Sequence, residues 1–223
     1  MLIAEALLVL LTHPDTGKLL ASGGFVDIAL AGGVLNELAE TGNARVTEKG
    51  EDVRKNRIVV VGDAAPPSDP LLADSLARLA TKEQWSPEAG VNALTKGLRR
   101  ALYERLARAE LVRREDVEVL GLTWAHHWPA VDASTRETLR RRLRTILVEG
   151  VEPDYRDAAL IGLLSALGVV ARLIADPGER IDKSAVRRRA KTLKDQYWAS
   201  NAVGRAIQQA QAAAAAGAAA AAG

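Results

Sequence analysis

The chain contains no cysteine. This excludes disulfide bridges, thiolate metal sites and cysteine nucleophiles, and is compatible with a reducing compartment. Aromatic residues make up only 4% of the sequence, with four Trp and one Phe. Histidine is limited to three residues, His13 and the adjacent pair His126-His127. Neighbours on a strand point to opposite faces, so the pair is a poor chelate and no metal site is expected. Long apolar runs are missing as well: the longest in the domain proper, 158–171, is too short to span a bilayer. Leu2–Leu11 is apolar but contains Glu5, and it has neither a basic lead-in nor an A-x-A site, so it does not read as a secretory signal. Also absent are G-x-x-x-x-G-K-S/T, G-x-G-x-x-G, H-E-x-x-H and G-x-S-x-G. Thr16-Gly17-Lys18 lacks the upstream glycine and following hydroxyl that a phosphate-cradling loop requires. Carboxylates are scattered among basic neighbours. No catalytic residue is assigned, and neither enzyme activity nor a cofactor is expected.

The 223 residues that are present suffice for one well-buried domain, and 48% hydrophobic with 26% charged residues is an ordinary globular balance. Net charge is only +2. An electrostatic partner must therefore be met locally, and the cations are indeed clustered. Residues 94–114 hold seven Lys/Arg against two Glu, 136–144 five Arg against one Glu, and 183–194 six Lys/Arg with no acid. Eighteen of the 30 cationic residues thus lie in 42 positions. The excess of Arg over Lys, 22 to 8, and the abundance of Ala fit a GC-rich bacterial gene.

Periodicity and punctuation predict a mainly α fold: a single globular helical domain around a buried central helix, with one or two small β-hairpins. Leu2–Leu11 reads as an apolar helix or strand, followed by a turn at 13–18. Val26–Thr41 has helical spacing and stops at Gly42, and its Gly32-Gly33 pair predicts close approach of another helix. Residues 44–48 and 57–61 read as short strands around Gly50. Ser68 or Asp69 can cap a helix opening at Pro70, and Ser86 another. Ser134-Thr135-Arg136-Glu137 has capping-box spacing, opening a helix with Arg136, Arg140, Arg141 and Arg144 largely outward. Residues 155–174 form the central helix, apolar on all sides. Asp182 or Ser184 caps a basic helix carrying Arg187 and Arg188. The domain proper is 1–209, and 210–223 is an Ala-rich low-complexity tail.

The stretch 94–129 carries the strongest functional signal. On one helix, Leu94, Leu98, Leu102, Leu106 and Ala109 share a core-facing stripe, with Lys96, Arg99, Arg100 and Tyr103 opposite. Arg105 falls inside the apolar stripe, where a buried cation needs a partner, and a structural ion pair is expected. A hydrophobic segment follows that includes Leu120, Leu122, Trp124 and Trp128. Core tryptophans and a solvated helix face are the plain alternative for these features. A basic face beside apolar rings is what attachment to an anionic surface needs.

Several motifs in order resemble the Golgi phosphoprotein 3 family, in a bacterial-type member. They are Leu2–Leu8 with Thr16-Gly17-Lys18, then Leu30–Leu38, Ser68–Leu72, Gly97–Leu102 leading to Leu111, Leu120–Pro129, and Asp157–Leu164. Together they span residues 2–209. The resemblance implies a mostly helical protein peripheral to membranes that binds phosphatidylinositol 4-phosphate. Eukaryotic members hold the headgroup with a tryptophan, an arginine and two basic residues spaced i, i+3, beside a hydrophobic hairpin. Here the spaced pair falls on Lys96 and Arg99, and the hairpin on 120–128. Ser22 and Ala31 stand at the tryptophan and first arginine positions. The resemblance therefore implies affinity for anionic headgroups without fine selectivity.

The expectation is a cytoplasmic protein, peripheral at the membrane face, with Lys96, Arg99 and Arg100 on anionic phospholipid headgroups. Leu120, Leu122, Trp124 and Trp128 would meet the membrane or a second copy of the chain through the 119–129 hairpin. Two other readings remain open. One is an interaction or dimerisation module without lipid binding. The other is a winged-helix-like nucleic-acid binder, disfavoured by the low total charge.

Overall fold

The computed structural model describes residues 1–51, 54–119, 122–176 and 181–222. Helix α1 (Ile3–Leu11) is buried along its whole length, including Glu5. Helices α2, α5, α6 and α7 pack around it. Its first turn is held by carboxylates, because the first amides of a helix lack intrahelical acceptors. Glu5 reaches back to the Leu2 amide at 2.7 Å, and Glu37 accepts from the Ile3 amide at 2.7 Å. Arg156 closes the arrangement by pairing with Glu37 at 2.7 Å.

Helix α2 (Gly23–Glu40) crosses this core. A β-carbon on Gly33 would stand 3.0 Å from the Ala4 backbone, and one on Gly32 would stand 2.1 Å from Val203. The glycine pair therefore lets α1 and the last helix approach from two sides, as its sequence suggests. Strands β1 (Ala44–Val46) and β2 (Ile58–Val60) pair antiparallel with Arg45 opposite Val59. Helix α3 (Pro70–Ala80) is capped by Asp69, which accepts from the Leu71 amide at 2.9 Å, and α4 (Pro87–Leu94) by Ser86.

One helix was expected from Leu94 to Ala109, and two are found. Helix α4 ends at Leu94, Gly97 turns the chain at φ +75°, and α5 (Leu98–Arg108) starts afresh. Only the left-handed backbone of Gly97 makes the break, and i, i+4 spacing across it hides the turn. Strands β3 (Glu115–Val119) and β4 (Leu122–His127) form the second antiparallel pair, with Asp116 opposite His126.

Helix α6 (Ser134–Arg144) opens without the expected capping box. Ala133 holds the N-cap, Asp132 accepts from the Ser134 amide at 3.1 Å, and Glu137 turns to Arg140 at 2.8 Å. Arg136, Arg140 and Arg144 were expected to face outward. Their side chains are instead only 14–19% exposed. Their long stems cover apolar surface while the heads pair at Glu137 and Asp176. A π-helical turn, Thr145–Glu149, ends at Gly150.

Helix α7 (Tyr155–Ala166) is the buried central helix predicted from 155–174, with Ala158–Leu164 all buried. It is shorter than predicted because Gly168 at φ +70° divides it from the short α8 (Val170–Leu173). Helix α9 (Lys183–Asp195), capped by Asp182, and α10 (Trp198–Ala222) complete the chain. The fold is mainly α, with two small antiparallel strand pairs among the described residues. No described helix is long and apolar enough to cross a membrane.

Candidate functional site: an arginine-lined pocket on α5

Helix α5 buries Leu98, Leu102 and Leu106, as their spacing predicts, but also Tyr103, which is 5% exposed. Tyr103 leaves the expected polar face because Trp128 lies on it. The two rings stack at 5.0 Å with planes 4° apart, and the phenol shares a 2.8 Å hydrogen bond with the Thr12 hydroxyl. Trp128 is itself 8% exposed. The expectation that Trp128 meets a membrane or partner is corrected: it is the stacked floor of a pocket, and its burial against Tyr103 is the reason. Burial pushes the Tyr103 phenol above its ordinary value, against the Thr12 hydrogen bond and the Arg99 charge.

Above this floor is an open pocket of about 490 Å³. The 17–23 loop and the start of α2 supply Gly17, Lys18, Leu19, Ala21 and Gly23 to its wall. Helix α5 supplies Arg99, Arg100, Tyr103 and Glu104, and the hairpin base supplies Arg114, His126 and His127. The loop is stitched in place by backbone bonds from His13 to Lys18 and from Ala130 to Pro14, each 2.8 Å. Gly17 sits at φ +63°, and a β-carbon there would stand 2.3 Å from the Trp128 amide nitrogen. Loop and floor thus meet backbone to backbone.

Three cations are only loosely engaged. The Arg99 Nε is 3.3 Å from Asp27, and a β-carbon on Gly23 would stand 2.6 Å from its guanidinium. Burial pushes the Asp27 carboxyl up, partly countered by Arg99. Arg100 donates to Glu104 at 2.8 Å with its own side chain 81% exposed. Arg114 and His126 share Asp116, each at 2.8 Å. The hydrogen bond from Arg100, with further pull from Arg108 and Arg114, holds the Glu104 carboxyl below its usual range. The exposed Arg100–Glu104 and Arg114–Asp116 pairs contribute about 0–1 kcal/mol each, and the Arg99–Asp27 contact is long at 3.3 Å. An arriving oxyanion can therefore take over these arginines at small cost. Helix α2 adds to the field, since it begins at the pocket with Gly23 and Ser22 gives it no side-chain cap.

Lys96, expected beside Arg99, lies elsewhere. The Gly97 turn carries it to a separate cleft of about 250 Å³ shared with Arg78, Arg105 and Arg108, and Arg78 bonds its carbonyl at 3.1 Å. Arg105 is the structural ion pair expected from the sequence, bonded to Glu5 at 2.7 Å and to Asp69 at 2.7 Å. Of the hairpin residues named from sequence, Leu120 lies outside the described residues. Leu122 and Trp124 lie on β4, with side chains outside the described set. Lys18, Arg114 and His126 are pocket residues that sequence reasoning did not assign. The nearest signals were Thr16-Gly17-Lys18, set aside as a failed phosphate loop, and the histidine pair, set aside as a poor chelate. Among the described residues no three His, Cys, Asp or Glu come together as a metal site.

The fold and pocket define a class: a helical domain with an open, cationic, aromatic-floored pocket at the base of a β-hairpin. The family model of Golgi phosphoprotein 3 matches residues 3–210, and the chain belongs to that family. Comparison with curated proteins finds no match.

Proposed function

We propose that the protein attaches reversibly to anionic membrane surfaces by taking a phosphorylated lipid headgroup, of the phosphatidylinositol 4-phosphate type, into the α5 pocket. The observation that carries this reading is the convergence of Lys18, Arg99, Arg100 and Arg114 from three elements on one pocket floored by Tyr103 and Trp128. Arg99 and Arg100 bracket the phosphate with charge-assisted hydrogen bonds, and Lys18 and Arg114 close its sides. Each cation near an anionic leaflet is worth about 1 kcal/mol, so four give useful but reversible attachment. Family membership supports the reading.

Vesicle flotation tests it. Vesicles of phosphatidylcholine carrying either phosphatidylinositol 4-phosphate or phosphatidylglycerol are expected to retain the protein at low salt, and pure phosphatidylcholine to release it. Failure to bind any acidic vesicle contradicts the proposal. Lys96→Ala is expected to change binding by less than about twofold, because its cleft is separate. A loss as large as that of Arg99→Ala would return Lys96 to the site.

A further inference from the structure

The loop that walls the α5 pocket also borders a second basic cleft, of about 540 Å³, between α6 and α8. Leu20 lines this one, whereas Leu19 and Ala21 line the first. The charged residues of the second cleft are Arg136, Glu137, Arg140, Arg172 and Asp176. Arg140 satisfies both carboxylates, donating to Glu137 at 2.8 Å and lying 2.7 Å from Asp176. With three arginines against two carboxylates, the cleft keeps one net positive charge, and Arg136 and Arg172 hold the weaker contacts.

Their own partners are weak. Arg136 is 14% exposed and touches Glu137 only at 3.3 Å, and its Nε is buried with no acceptor among the described residues. Arg172 donates to the Leu20 carbonyl, a neutral acceptor. The Ile174 carbonyl already takes bonds of 3.3 Å from Arg140 and Arg144. A buried donor without an acceptor is destabilising. Burial also holds the Arg136 guanidinium below its ordinary value, against the pull of Glu137.

We propose that the α6–α8 cleft is a second anion site, in which Arg136 and Arg172 hold a phosphate-type oxyanion. The chemistry is shared by a lipid phosphate and a soluble phosphate compound, and the site does not depend on the α5 reading. Two basic sites flanking one loop would let the protein engage two phosphate groups at once.

The test uses the full chain, with calorimetric titration of pyrophosphate and flotation on phosphatidylglycerol-containing vesicles, both at low salt. Arg136→Gln and Arg172→Gln are each expected to weaken one or both by about tenfold or more. Arg99→Gln with Arg100→Gln is expected to leave the second site titratable, so failure here and failure of the α5 proposal are distinguishable. Weakened pyrophosphate binding points to a soluble phosphate, and weakened vesicle binding alone points to a lipid. The melting temperature of Arg136→Gln is expected to hold or rise, because a charge kept against the cost of burial has been removed. Wild-type binding by both folded variants in both arms overturns the proposal. If Arg136→Gln fails to fold, the exposed Arg172 decides: unchanged binding by Arg172→Gln overturns it.

Discussion

At the scale of single residues, the pocket keeps its arginines available by giving them weak partners. Asp27 is the clearest case. Burial, outweighing the pull of Arg99, raises its carboxyl from the ordinary value of 3.8. The folded protein thus binds this proton more readily than the unfolded chain, and the ionised form costs stability at neutral pH. Asp27→Asn is therefore expected to keep or slightly raise the melting temperature. It also frees Arg99, so affinity for acidic vesicles is expected to rise by about two- to fivefold, the worth of a partly exposed pair. Weaker vesicle binding by this variant would show that Asp27 positions Arg99 instead of competing for it. Asp69 behaves in the opposite sense. Burial alone would raise its carboxyl, but Arg105 and the Leu71 and Leu72 amides bring it below 3.8. Its contribution is present above that ordinary value and is lost as pH falls below it. Asp69→Asn is expected to cost about 2 kcal/mol at pH 7 and to flatten the acid limb of the stability curve measured by urea unfolding. An unchanged acid limb would remove Asp69 from the pH dependence.

At the scale of elements, the loop between α1 and α2 matters as much as the basic helix. Its contact with Trp128 makes Gly17→Ala costly twice over, through left-handed strain and through overlap with backbone that cannot yield. A loss of roughly 3 kcal/mol is expected, lowering the melting temperature by about 6–12 °C. Gly42 is the control, with φ +73° and nothing within 4 Å of a β-carbon, so Gly42→Ala carries the strain alone. Equal losses would mean that loop and floor are not packed as described. The elements also show where sequence periodicity stops informing. Helical stripes made α2 and α5 legible because their apolar residues repeat with the helix, and α7 was legible from its all-round apolar run. Hydroxyl or carboxylate caps marked α3, α4 and α9, whereas α1, apolar but for Glu5, left helix and strand undecided. The breaks at Gly97 and Gly168 were not legible, since a single left-handed glycine interrupts a helix without disturbing the apolar spacing around it. The α6 arginines were misread for a related reason: a wheel places a residue on a face but does not show which neighbour covers that face.

At the scale of the whole molecule, the site is assembled from positions about 100 residues apart, which explains how much of it was hidden. Arg99 and Arg100 could be picked out from local charge. Lys18, Arg114 and His126 could not, because only the packing of the 17–23 loop and the hairpin base against α5 brings them in. Trp128 was picked out for its type and given the wrong surroundings, since its partner Tyr103 lies 25 residues away on another element. The same assembly sets this pocket apart from the other basic surfaces, among them the exposed face of α9 with Arg187 and Arg188. If attachment were diffuse electrostatics, the two surfaces would count alike. The direct measurement is flotation on vesicles containing phosphatidylinositol 4-phosphate, comparing Arg99→Gln/Arg100→Gln with Arg187→Gln/Arg188→Gln at equal net charge. The pocket variant is expected to bind about 30-fold more weakly than wild type, from two cations at about 1 kcal/mol each, and the α9 variant within about twofold of it. Equal losses in the two variants would contradict a headgroup pocket on α5.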